Sequence, residues 1–216
     1  MQFGMDMARN SRPAFGRDSH RESVVAEYLD YHLYPKHFQS TDRVNDKERQ
    51  LAGVDLIATH KDIEGEMKID EKAATSWAHK MDLKTFAFEL QWMLGSREIG
   101  GWFMDMNQYR ETTHWMCIWP RTMGEPLEKM EDIVRAEVML IRVKVLRRWV
   151  RKRASRKSGF LEDVIDRLRK GEVDELRWAG LRVRISRNLP EQPINLLIPR
   201  EELRELSEGM VWNLSK

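Results

Sequence analysis

The sequence predicts an α/β fold in which helices flank β-strands, and three observations carry that expectation. Apolar residues between 22 and 34 (Val24, Val25, Tyr28, Leu29, Tyr31, Leu33) recur at helical spacing. Downstream the pattern shortens to strand-length runs, clearest in TFAFELQWM at 85–93, where Phe86, Phe88 and Leu90 alternate with Ala87, Glu89 and Gln91. Further on, segments 143–154 and 158–170 set an apolar face against a charged one. A chain of 216 residues with 41% hydrophobic content can bury a sizeable core.

Composition removes several function classes. Charged residues make up 33% of the chain but nearly cancel, leaving a formal charge of +2, so any contact with nucleic acid needs local clustering of bases. Cys117 is the single cysteine, which excludes a disulfide framework and a cysteine zinc site. The six histidines are scattered without HExxH-type spacing, and no Walker or Rossmann glycine pattern occurs. No apolar run approaches the roughly 18 residues of a membrane span, and the amino end has no signal-peptide core. The expectation is a soluble, cytoplasmic protein that does not enter a membrane.

In chain order, residues 1–21 are polar with little periodicity and are expected to form a loose arm. The helix at 22–34 has Asp18 or Ser19 available as a cap and Pro35 as its stop. A charged connector, 37–50, leads to two short strands, 51–58 and 66–73, joined by a polar turn at 59–65. Residues 73–84 read as a short polar loop, 85–93 as a strand, and 102–104 and 113–119 as two more, the last one buried. Trp115 and Trp119 are expected in the core. Residues 132–141 fit a strand by alternation or a helix by propensity. Helices at 143–154 and 158–170 follow, then strands near 176–185 and 194–198, a helix at 199–206 opened by Pro199, Glu201 and Glu202, and a last strand at 210–214. The expected organisation is an arm (1–21), a core (22–125) and a C-terminal α/β extension packed on it (126–216).

The chemistry concentrates in LAGVDLIATHKDIEGEMKIDEK at 51–72. Strand side chains alternate, so Asp70 and Lys72 share a face while Met67 and Ile69 take the other. An acid on one strand, Asp55, beside an acid and a lysine at i and i+2 on its neighbour can gather two carboxylates and an ammonium. A carboxylate flanked by Val54 and Leu56 on a buried strand is costly unless a metal or partner compensates it.

Asp55 followed by Asp70-Glu71-Lys72 resembles the PD-(D/E)XK nuclease superfamily, over roughly 23–120, with Val54 where the motif name has proline. The resemblance implies a restriction endonuclease-like core with a mixed central sheet. It also implies a phosphodiesterase acting on DNA and yielding a 5′-phosphate and a 3′-hydroxyl. Asp55, Asp70 and the main-chain carbonyl of Glu71 would hold Mg²⁺ or Mn²⁺ through hard oxygen ligands. Lys72 would orient the attacking water and offset charge in the transition state. By the same resemblance, Glu27 on the first helix is a further catalytic candidate, and Glu89 and Gln91 on the next strand are second-tier ones. Each of these three also reads as an ordinary acid or amide facing solvent. The resemblance further suggests a homodimer cutting both strands.

The densest run of bases, Lys144, Arg147, Arg148, Arg151 and Lys152 with Arg153, Arg156 and Lys157, can track a phosphate backbone or simply be a solvated helix face. The alternative to a nuclease is a non-catalytic nucleic-acid-binding or structural protein on the same fold. Convergence of Glu27, Asp55, Asp70 and Lys72 in one cleft separates the two.

Overall fold

A computed structural model describes residues 12–79, 82–124, 126–154 and 160–216. The molecule is mixed α/β, with a curled mixed sheet and a second, antiparallel sheet. Helix α1 (Arg12–His32) starts well ahead of the expected boundary, so Asp18 and Ser19 lie inside it rather than capping it. Residues 1–11 of the expected arm lie outside the described residues. Leu33 interrupts the helix, and Pro35 falls in the first turn of a short α2 (Tyr34–His37), where its missing N–H costs nothing.

The connector at 37–50 is not structureless. It holds β1 (Ser40–Arg43) and α3 (Lys47–Leu51), whose cap is Asp46, accepting the Arg49 N–H at 2.8 Å. The first motif strand is therefore β2 (Leu56–His60), beginning just after Asp55 and not at 51. Its partner β3 (Ile63–Ala73) reaches back through Gly65, leaving only Lys61 and Asp62 as the turn.

β4 (Thr85–Leu94) and β5 (Arg97–Gly100) form a hairpin through Gly95, whose φ of +63° favours glycine. The expected strand at 102–104 is instead a turn that folds back on β4, with Phe103 N–H bonded to the Glu89 carbonyl at 3.0 Å. Next comes β6 (His114–Arg121), buried along nearly its whole length. Residues 132–141 resolve as strand, β7 (Arg135–Arg142), because strands pair with it on both sides. The chain continues through α4 (Val143–Arg153), α5 (Leu161–Arg169), β8 (Glu175–Trp178), β9 (Leu181–Ile185), β10 (Ile194–Pro199), α6 (Arg200–Leu206) and β11 (Val211–Ser215).

The first sheet runs β1-β2-β3-β6-β7-β11, with β3 and β6 parallel and all other pairs antiparallel. The second runs β5-β4-β10-β9-β8. The expected boundary at 125–126 thus passes through both sheets rather than between them: β7 and β11 complete the first, and β10 pairs with β4 in the second. One face of the first sheet (Leu56, Met67, Ile69, Met116, Ile118) buries α1 through Val25, Tyr28 and Leu29. The other face packs Trp115, Cys117 and Trp119 against the second sheet and the apolar faces of α4, α5 and α6. Trp115 and Trp119 are core residues, as expected.

A buried acid ties the last helix to this frame. Glu137 on β7, 5% exposed, pairs with Arg200 and Arg204 of α6. Removing it leaves two guanidinium groups short of a partner, so Glu137→Ala should cost about 2–3 kcal/mol in urea denaturation. Glu201→Ala removes only an exposed partner of Arg204 and should stay within about 0.5 kcal/mol.

Candidate active site

Strand parity on β3 sorts its charged residues. Glu71 faces α1, where Tyr34 donates to it and Arg43 pairs with it, while Arg43 also binds Asp30 at 2.8 Å and the Ala26 carbonyl at 3.1 Å. That side chain is consumed in holding α1 to the sheet, leaving Glu71 only its main-chain oxygen for the expected metal role.

Asp70 and Lys72 face the second sheet, with Lys72 Nζ 2.6 Å from Asp70 Oδ1. Asp55 joins them from the start of β2. Its N–H donates to the Ile69 carbonyl at 2.9 Å, and its Oδ2 accepts the Glu71 N–H at 2.8 Å, which fixes the carboxylate beside Asp70. Asp70 is 1% exposed, and apart from the nearby ammonium neither of its oxygens has a hydrogen-bond partner. Burial pushes its carboxyl up to about 7, with Lys72 opposing and Asp55 adding to the shift. Burial also disfavours the Lys72 ammonium, but Asp70, Asp55 and Glu22 outweigh it, and the lysine is held charged above its ordinary range.

The walls come from the segment between β3 and β6. The Trp102 ring lies 5.5 Å from Lys72 Nζ. Glu89 on β4 is close enough for Lys72 to oppose the upward shift that burial gives its carboxyl. Tyr109 is raised by burial, with Lys72 opposing and Asp70, Glu89 and Asp105 adding to it. The Tyr109 ring approaches Gly53 so closely that a Cβ there would lie 2.5 Å from a ring carbon, and Gly53 has φ +78°. Gly101 is confined in the same way by the Glu89 main chain, 2.4 Å from where a Cβ would stand. Two glycines therefore let the walls close on the acids. The Cys117 thiol, opposite Lys72 in the β3–β6 register, is pushed up by burial and is inert as a nucleophile.

Asp55, Asp70, Lys72 and Glu89 are thus brought together. Glu27 is not: it is exposed on α1, and the helix residue acting on Lys72 is Glu22. Five positions turn a helix by about 140°, so the two acids cannot share a face. Gln91 is engaged elsewhere, accepting from Arg169 at 2.6 Å and donating to Glu98 at 3.0 Å. Glu22, Trp102 and Tyr109 were not legible as site residues. Glu22 stands at the first position of the expected helix, ahead of its apolar repeat, Trp102 in a segment expected as strand, and Tyr109 in a stretch without periodicity.

On the basic helix, Arg147 turns inward, donating to the Phe103 carbonyl at 2.9 Å with its guanidinium 5.3 Å from the Trp115 ring. Arg153 pairs with Glu202. Lys144, Arg148, Arg151 and Lys152 form an exposed stripe at i, i+4, i+7 and i+8. Arg156 and Lys157 lie outside the described residues. The stripe rides on α4, which packs against the same face of the first sheet that carries Asp70 and Lys72.

The donor set fits a hard divalent cation: two adjacent carboxylates, one of them buried with unsatisfied oxygens. Among the described residues no third Asp, Glu, His or Cys joins them closely enough to complete a three-residue set. No helix among the described residues is long and apolar enough to cross a membrane. No family model matches the chain, and no curated protein or solved structure matches it either.

Because the folded carboxyl value of Asp70 lies above the unfolded one, its contribution to stability is fully present below about pH 4 and is lost as pH rises through about 7. Asp70→Asn removes the buried charge. The variant should gain on the wild type between pH 4.5 and pH 8 by on the order of 2–4 kcal/mol, read by urea denaturation at both values. An unchanged difference between the two pH values would contradict the assigned burial cost.

Proposed function

We infer that the protein is a metal-dependent nuclease with a restriction endonuclease-like core, acting on DNA. The observation that carries the reading is the convergence of Asp55, Asp70 and Lys72, with Asp70 buried and its oxygens unsatisfied. The order of elements supports it: a helix, an antiparallel strand pair bearing the acids, and a later strand parallel to the second of them. So does the exposed basic stripe on the same side of the sheet. The position of Glu27 outside the cluster favours the non-catalytic alternative, and Glu22 acting on Lys72 counts against it.

Asp55, Asp70 and the Glu71 main-chain oxygen would hold Mg²⁺ or Mn²⁺. Bound there, the ion supplies Lewis-acid polarisation of the scissile phosphate and a water of lowered pKa. The protein's own groups do the rest. Lys72, kept cationic by its acids, orients the attacking water and a non-bridging phosphate oxygen, and its charge offsets the negative charge that builds in the transition state. Trp102 and Tyr109 limit bulk water around the ammonium, which strengthens each of these interactions. The stripe Lys144, Arg148, Arg151 and Lys152 holds the phosphate backbone without reading sequence.

The direct experiment is cleavage of single- and double-stranded DNA with Mg²⁺ or Mn²⁺. Lys72→Ala and Asp70→Asn should each lower the rate by about 10²-fold or more while remaining folded. Folded wild type that neither cuts any substrate nor binds metal by calorimetry would leave the non-catalytic reading. Metal affinity should rise with pH up to about 7 and level off above, because the ion needs the ionised Asp70. Each alanine in the exposed stripe should weaken duplex binding and reduce the slope of log K against log salt by about 0.9. Arg147→Ala should instead mainly destabilise the fold.

A further inference from the structure

The first sheet curls until β2 and β11, with β3, β6 and β7 between them, meet at one end, where the His60 and Trp212 rings are 6.2 Å apart. Phe38, just after α2, closes the gap at 5.6 Å from Trp212 and 5.5 Å from His60, and His37 lies 5.8 Å from Trp212. Between them opens a cavity of about 410 Å³, lined also by Lys36, Lys61 and Asp62. That size falls within the roughly 300–1,000 Å³ of small-molecule sites.

This is not the cluster around Asp70. Leu56 and Ala58 on β2 face α1, and His60, in phase with them, ends the strand four residues from Leu56, about 13 Å away. Asp55 lies at the other end and points to the opposite face.

The lining selects a ligand class. Aromatic faces favour a flat ring. Lys36 and Lys61 are exposed and have no acid partner among the described residues. The one acid, Asp62, is directed at His60: its N–H donates to Nδ1 at 3.2 Å, and its carboxylate stands 3.8 Å from the same nitrogen. With Nδ1 accepting, the ring proton is on Nε2, which is a donor. The rim is positive, with Lys36 and Lys61 set against the carboxylate of Asp62, and Lys36 adds to the burial that holds His37 below its ordinary range. A cationic ligand would be repelled, a neutral ring would leave two ammonium groups unused, and a bare anion would leave the aromatic walls unused.

We propose that this pocket binds a nucleoside monophosphate unit, free or as the terminal residue of a single strand, with the base against Trp212 and Phe38 and the phosphate on Lys36 and Lys61. The site is independent of the proposed cleavage centre.

The test is titration of the full chain with AMP in EDTA, followed by calorimetry and by the histidine ring proton signals. AMP has no phosphodiester to cut, so a failed nuclease reading does not affect the outcome. AMP should bind and shift the His37 and His60 signals, with adenosine and inorganic phosphate each at least about tenfold weaker. Trp212→Ala, and the double variant Lys36→Ala/Lys61→Ala, should each weaken AMP by about tenfold or more. A 5′-phosphorylated trinucleotide that binds more tightly than AMP assigns the site to a strand end, and equal affinity assigns it to the free nucleotide. The proposal is overturned if neither AMP nor the trinucleotide binds at about 10 mM. It is also overturned if phosphate binds as well as AMP, or if the folded double-lysine variant binds AMP like the wild type. Should Trp212→Ala fail to fold, the double-lysine variant carries the test.

Discussion

Burying the Asp70 carboxylate is the constraint around which this molecule is arranged. β3 carries Asp70, Glu71 and Lys72 in succession, and the pleat sends them to opposite faces. Parallel pairing with β6 then sets Asp70 opposite Trp115 and Lys72 opposite Cys117, inside the layer between the sheets. Parallel strands cannot be joined by a tight turn, so the chain must make a long excursion between them. That excursion carries β4, β5 and the turn after them, and it delivers Glu89, Trp102 and Tyr109 to the acids. One topological requirement thus supplies both the connection and the walls.

The neighbouring acids on β3 show how environment separates structural from chemical roles. Glu71 is answered on its own face by Tyr34 and Arg43, so its charge is absorbed in joining α1 to the sheet. Asp70 has Lys72 and a second carboxylate nearby but no hydrogen-bond donor of good geometry. A buried carboxylate left in that condition is expensive, and it is the one able to repay a cation or a proton with a large change in free energy.

Much of this was legible from residue order. Alternation in 85–93 correctly placed Phe86, Phe88 and Leu90 in the core, and the strand spacing of Asp55, Asp70 and Lys72 is the feature of the site that residue order displays most directly. What stayed hidden depends on phase and on partners distant in the chain. Which of Glu22 and Glu27 faces the site is set by how α1 docks on the first sheet, a contact with strands distant in the chain. Residues 132–141 have helix-compatible composition and become a strand only because β6 and β11 flank them. The run of bases looked uniform, yet Arg147 is drawn inward by the Phe103 carbonyl and the Trp115 ring, both outside its own segment. The curl that brings Trp212 to His60 joins residues far apart in sequence, so no local pattern could foretell it.

The interleaving of the two halves of the chain bears on how the protein is made. When synthesis has reached residue 125, β6 has no β7 beside it, and β4 has β5 on one edge but still waits for β10 on the other. Both sheets then present open hydrogen-bonding edges and uncovered aromatic faces, the features that invite pairing with other chains. Closure comes only when β10 and β11 are delivered. The nascent chain must therefore hold its acid-bearing strands in a half-built sheet until those two strands arrive, so the cluster around Asp70 is completed only after them.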